Sequence, residues 1–223
     1  MKIFWLLVIS LYIDPIGLVT LNDKGVDGPG AGNLLLHTGL YYVAAYKEGQ
    51  PPVRPLSEVI KSSGVKGYPG LYWRSPYKIG DRQEHDDYIG LAAAAYFYDQ
   101  GIAKEIVDHG AKHKWCYNSV NPEKFDLSLL HDRFPGQIAF YKMSAGEALS
   151  FWDELIIGGR ALALSYSKDG DAAIHSYLMF SVCREAAPVI CQPMWWVSGF
   201  RKGIGPKFAG YLGKDHPMTW INK

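Results

Sequence analysis

The sequence predicts a mainly α-helical protein, and three features predict it. Apolar residues recur at helical spacing through several long stretches. Glycine and proline punctuate those stretches at intervals that suit helix ends. One stretch, YIGLAAAAYFY at 88–98, is small-residue and apolar enough to be a buried helix. With 223 residues and 48% hydrophobic content, the chain has enough apolar material for one domain with a sizeable core, an N-terminal arm at 1–32 and a helical body at 33–223.

Met1 to Ile13, MKIFWLLVISLYI, is the most hydrophobic segment, too short for an ordinary membrane helix and without a clear cleavage signature. The expectation is that it stays on the chain and packs against the body. Residues 22–33, NDKGVDGPGAGN, are turn-rich; they start like a calcium loop, but Leu34 stands at the twelfth position where such a loop needs Glu. Asn33 is a fitting cap for LLLHTGLYYVAAY, whose apolar residues wrap most of the circumference. LSEVIKSS makes a short helix, and GYPGLYWRSPYKIGD is an irregular aromatic loop. After 88–98, the stripe Ile102, Ile106, Val107 predicts a helix ending near Gly110. IAFYKMSAG is a short helix or strand. GEALSFWDELIIGGRALALSYS is helical, with Gly158-Gly159 expected to divide it, and AAIHSYLMFSVCREAA is a helix stopped by Pro188. A short helix is expected around 193–200 and another at GPKFAGYLG. The main helices thus fall near 34–47, 87–98, 101–109, 146–165 and 171–186.

A net charge of +1 gives no general attraction to nucleic acid or to an anionic membrane, and no P-loop motif occurs. The cysteines are Cys116, Cys183 and Cys191; an odd count without CxxC spacing predicts three buried free thiols and no zinc–thiolate centre.

The candidate site starts at DRQEHDD, residues 81–87, where Asp81, Glu84, Asp86 and Asp87 crowd around His85 at the mouth of the 88–98 helix. Carboxylates in a first helical turn are favoured by free N–H groups and the macrodipole, so capping alone explains part of the cluster. A rigid helix start also aims such groups for proton transfer. The second polar–aromatic stretch, WCYNSVNPEKFDLSLLHDRFPGQ at 115–137, sets Asn118, Asn121, Asp132, Arg133 and Gln137 among Trp115, Tyr117, Phe125 and Phe134. Hydrogen-bonding groups beside rings suit a polar ligand and equally suit a loop that pins itself down.

Buried helices joined by aromatic-rich loops, with EHDDYIG opening one of them, resemble the α/α-toroid hydrolases and lyases that process polysaccharides. The resemblance is one of texture across about residues 33–200. It implies a partial toroid of helical hairpins, with carboxylates as acid and base and rings that stack on sugar. On it, His85, Asp86, Asp87 and Arg133 are the catalytic candidates, and Tyr72, Trp73, Trp115 and Asn118 the substrate-binding ones. The implied partner is a neutral or acidic glycan, and no cofactor is called for. A glycosidase needs two carboxyls, and neighbours on a helix diverge by about 100°, so Asp86 and Asp87 cannot share one bond. Glu84, Asp132 or Asp153 would be the second carboxyl. A lyase would use His85 or Tyr117 as base and Arg133 or Asn118 as neutraliser. Two rivals stand beside this reading. One is a metal-dependent hydrolase using Asp81, His85, Asp86 or Asp87 with His37 or His131. The other is a non-catalytic structural or binding protein of an assembly.

Overall fold

The computed structural model describes residues 18–19, 34–77, 85–131 and 134–200. Met1 to Ile13, the Gly-rich run with Asn33, Asp81, Glu84, Asp132, Arg133 and the last stretch from 201 lie outside the described residues. Eight α-helices carry the described chain: α1 Leu34–Lys47, α2 Leu56–Lys61, α3 His85–Tyr98, α4 Gln100–Lys112, α5 Gln137–Ser144, α6 Phe151–Ser165, α7 Gly170–Ala186 and α8 Pro188–Val197. Among these residues there is no strand; isolated bridges join Gly64 to Tyr72 and Cys116 to Leu130. The fold is mainly α with irregular, aromatic-rich loops. No described helix is long and apolar enough to cross a membrane.

Helix α3 is the hub, packing against α1, α2, α4, α5 and α7. Its run of alanines explains this, since Ala92 to Ala95 are all fully buried and let neighbouring backbones come near. The α1–α3 crossing is closest at Gly39 and Gly90. A Cβ on Gly39 would lie 2.1 Å from the Gly90 carbonyl oxygen, and one on Gly90 would lie 2.5 Å from the Leu36 Cα. Helix α1 is buried from Leu34 through Ala45, as its all-round apolarity predicts. Lys47 in its last turn pairs with Glu185 of α7 at 2.5 Å.

Around the hub the sequence signals mostly hold, with local departures. Asp99 caps α4 by accepting from the Gly101 N–H at 3.1 Å, and Ile102, Ala103, Ile106 and Val107 form its inner stripe. Helix α4 runs past Gly110 to Lys112, because the bare Cα makes room for the Trp115 ring and the Tyr117 hydroxyl. Helix α6 is unbroken at Gly158-Gly159: Gly158 sits against Met194 and Cys191 of α8, so the pair serves packing rather than a turn. Ser150 and Asp153 form a capping box at its start. IAFYKMS is helix α5. Helix α7 stops before Pro188 as expected, and that proline then opens α8 at a position needing no N–H.

The expectation of three free thiols is corrected. Cys183 near the end of α7 is disulfide-bonded to Cys191 of α8, with Cα atoms 5.8 Å apart, and Cys116 remains a buried free thiol. An odd count leaves one cysteine over but does not forbid a bridge, and the turn at Ala187-Pro188 folds α8 back to bring the two sulfurs together.

Candidate functional site

Three consecutive residues open α3, and the helical turn sends them in three directions. Successive side chains diverge by about 100°, so each meets a different neighbour. Asp87 points inward. Its Oδ1 accepts from the Leu35 and Leu36 N–H groups, at 3.2 and 3.4 Å, and thereby serves the first turn of α1 from outside that helix. His85 turns towards the 131–134 segment, its ring 4.4 Å from His131 and 4.8 Å from Phe134, while its carbonyl accepts from Gln137 Nε2 at 3.2 Å. Asp86 faces the start of α7. Its Oδ1 lies 3.3 Å from Nε2 of His175, with the carboxylate side chain 27% exposed and the imidazole 9%.

The Asp86–His175 contact is within ion-pair distance but off the line of a hydrogen bond. Burial, and then the nearby Asp171 and Asp169 carboxylates, push Asp86 up to about 6, against a downward pull from Arg74 and Arg160. Burial likewise lowers His175 to about 4. These directions oppose those of an ion pair, in which the carboxyl falls and the imidazole rises. Burial dominates both shifts, so a neutral imidazole stands beside a carboxyl pushed up towards neutrality.

Behind His85 lies a buried aromatic and polar layer. Gln137 Nε2 donates to Tyr141 Oη at 2.5 Å, and Tyr141 Oη lies 2.7 Å from His131 Nδ1. The Tyr141 hydroxyl thus accepts from Gln137 and shares a second hydrogen bond with His131. Burial holds His131 well below its ordinary pKa, and the adjacent His85 pushes the same way. Tyr88 and Tyr117 complete the layer, with rings 4.3 Å apart.

The remaining sequence candidates are spread around this arrangement. Tyr72 is 5% exposed; its ring packs against Tyr88 and its N–H donates to the Tyr88 hydroxyl at 3.3 Å. Trp73 is half-buried, and its N–H donates to the Ser63 carbonyl at 2.6 Å. Trp115 is half-buried in a left-handed turn beside Lys142. Asn118 is buried and pins its own loop, donating to the Lys124 carbonyl at 3.0 Å and accepting from the Asn121 N–H at 2.9 Å. Asp153 belongs to the α6 capping box. Arg133 lies outside the described residues.

The structure brings in residues the sequence reading passed over, His175, Arg160 and Tyr141, and joins them to Gln137 of the second polar–aromatic stretch. One signal was available. Arg160 in IIGGRALAL and His175 in AAIHSYLMF are single polar residues inside apolar helical runs, and such residues need a partner or a role. A depression of about 200 Å³ adjoins the cluster, lined by Phe134, Gly136, Ile138, Ala139, Lys142 and Asp153. Phe134 is common to both. Among the described residues, no group of three His, Cys, Asp or Glu side chains is placed to hold a metal ion. No family model, curated protein or solved structure matches the chain.

Proposed function

We propose that this protein is an acid–base enzyme acting on a glycan, as a glycoside hydrolase or polysaccharide lyase, with Asp86 giving or taking the proton. The observation that carries the reading is Asp86 itself: a half-buried carboxyl at a rigid helix start, 3.3 Å from a buried imidazole and pushed up to about 6. A general acid must keep its proton near working pH, and a carboxyl at 6 is still protonated in roughly one molecule in ten at pH 7. Removal from water, plus neighbouring carboxylates, is the usual route to such a value. A glycosidase needs a second carboxyl, and Asp171, the foremost charge acting on Asp86, takes that part from the first turn of α7. His175 stands beside the acid and limits its water. Phe134 offers a ring at the edge of the adjoining depression.

The test is hydrolysis or elimination measured across a panel of neutral and acidic polysaccharides, with Asp86→Asn beside the native protein. Native protein should cleave at least one member, and Asp86→Asn should lose about 10²–10⁴-fold in rate with its melting temperature kept. A full rate in that variant would remove Asp86 from the chemistry.

A second reading, a non-catalytic protein of an assembly, draws on the outer face of α6. Phe151, Trp152 and Ile156 form an apolar row there, with Trp152 67% exposed, as at surfaces that bind other proteins. On that reading the native protein cleaves no member of the panel.

A further inference from the structure

Arg160 is a lone cation in an apolar stretch of α6, and two tethers fix its position. Ser176 Oγ donates to the Ala161 carbonyl at 2.6 Å, which sets α6 on α7 and brings the turn bearing Arg160 against the turn bearing His175. Phe134 lies under the guanidinium, 5.3 Å from Cζ to the ring centroid, and the same ring stands 4.8 Å from His85. Phe134 thus stands against both Arg160 and His85, the residue before Asp86. The two charges also act on each other, Arg160 drawing the Asp86 pKa down and Asp86 drawing that of Arg160 up.

The donors of this guanidinium are incompletely used. Nη1 reaches the Pro135 carbonyl at 3.4 Å, while Nε is out of water with no hydrogen-bond partner among the described residues. A buried N–H left without an acceptor costs roughly 1–3 kcal/mol, and native proteins leave few of them. Phe134 lies 5.3 Å from the guanidinium carbon and restricts where the fork can turn. A planar fork held in this way matches the two oxygens of a carboxylate or sulfate, where an uncharged hydroxyl would satisfy one donor at a time.

The geometry points to Arg160 as an anion-recognition residue beside Asp86, so that the glycan taken by this site carries a carboxylate or sulfate group. The inference rests on the acid–base reading of the same site and adds the substrate class to it. It has a built-in consequence for the acid. An anion seated on Arg160 cancels the charge that draws Asp86 down and adds a negative neighbour, so binding raises the proton affinity of Asp86. Substrate and proton then arrive together.

Calorimetric titration of the full chain near pH 7 tests this, with trigalacturonate as the acidic sugar and maltotriose as the neutral one. Native protein should bind the acidic sugar at least about tenfold more tightly, and Arg160→Gln should remove that advantage, a loss of about ten- to a hundredfold for charge-assisted bonds. Repeating the titration in buffers of different ionisation enthalpy should reveal proton uptake, absent in Asp86→Asn. If Arg160→Gln fails to fold, Arg160→Lys and salt decide: the lysine variant should bind less tightly, and added salt should weaken acidic but not neutral binding. Equal affinity of the native protein for the two sugars, or a preference kept in Arg160→Gln, would overturn the inference while the Asp86 cleavage assay still carries the acid–base reading. If neither sugar binds and no glycan of the panel is cleaved, both fall.

Discussion

Asp86 and Asp87 show how adjacent residues of one type can hold opposite duties. Asp87 is fully buried and joins α3 to α1 through two backbone N–H groups, whereas Asp86 keeps a quarter of its side chain in water beside His175. Removing the Asp87 carboxylate leaves those N–H groups buried without an acceptor. Asp87→Ala should therefore lower stability by about 2–4 kcal/mol in chemical denaturation, and Asp87→Asn by less because an amide oxygen still accepts. A run of charge such as EHDD announces a helix start in the sequence. It does not announce which helix the carboxylate serves, since the Leu35 and Leu36 donors lie about fifty positions away.

At the scale of elements, the α1–α3 contact depends on two glycines facing each other. Gly90→Ala would set a methyl 2.5 Å from the Leu36 Cα, and helices do not yield locally to that degree. The expected result is a loss of about 3 kcal/mol, read as a lower denaturation midpoint, because backbone rather than a flexible side chain must move. The helices themselves were legible in the sequence: 34–47 is predicted and found, and the starts of α3, α4 and α7 agree to within about two residues. Continuity through Gly158-Gly159 was not legible, because the reason lies in Met194 and Cys191, side chains of a helix three dozen residues further on. The polar cluster at His85 and Asp86 was legible in the sequence, whereas the approach of His175 and Arg160 was hidden, because it depends on how α6 and α7 seat against the start of α3.

For the whole molecule, buried histidines govern how stability responds to acid. His109 and His175 are each lowered to about 4 and His131 is lowered well below 6.5, all chiefly by burial. The unfolded chain binds protons at these sites between about pH 4 and 6.5 while the folded chain does not, so stability rises with pH across that window. Asp86 acts in reverse. With its folded pKa raised from 3.8 to about 6, the folded state holds the extra proton, and this residue's contribution falls as pH rises through the same range. Three histidines outweigh one carboxyl, so the melting temperature should climb from pH 4 to 6.5. Asp86→Asn should make the climb steeper and His109→Gln should make it shallower. A melting temperature that fell over this interval would contradict the placement of these imidazoles. The Cys183–Cys191 bridge joins the last two described helices throughout, and its contribution does not depend on these protonations.

The cap that Asp87 supplies to α1 also carries a kinetic consequence. The first turn of α1 receives its Oδ1 acceptor across 52 positions of sequence. Until α3 arrives, the start of α1 lacks that acceptor and its first turn frays. When α3 arrives, Asp87 satisfies the orphan donors in the same event that seats Gly90 against Leu36, so the two helices are completed together. Such a step joins distant parts of the chain before either gains from it, which places it at the barrier to folding rather than after it. The Asp87→Ala variant should accordingly refold more slowly, with its unfolding rate changed much less, and the α1–α3 pair would be the nucleus around which the other helices gather.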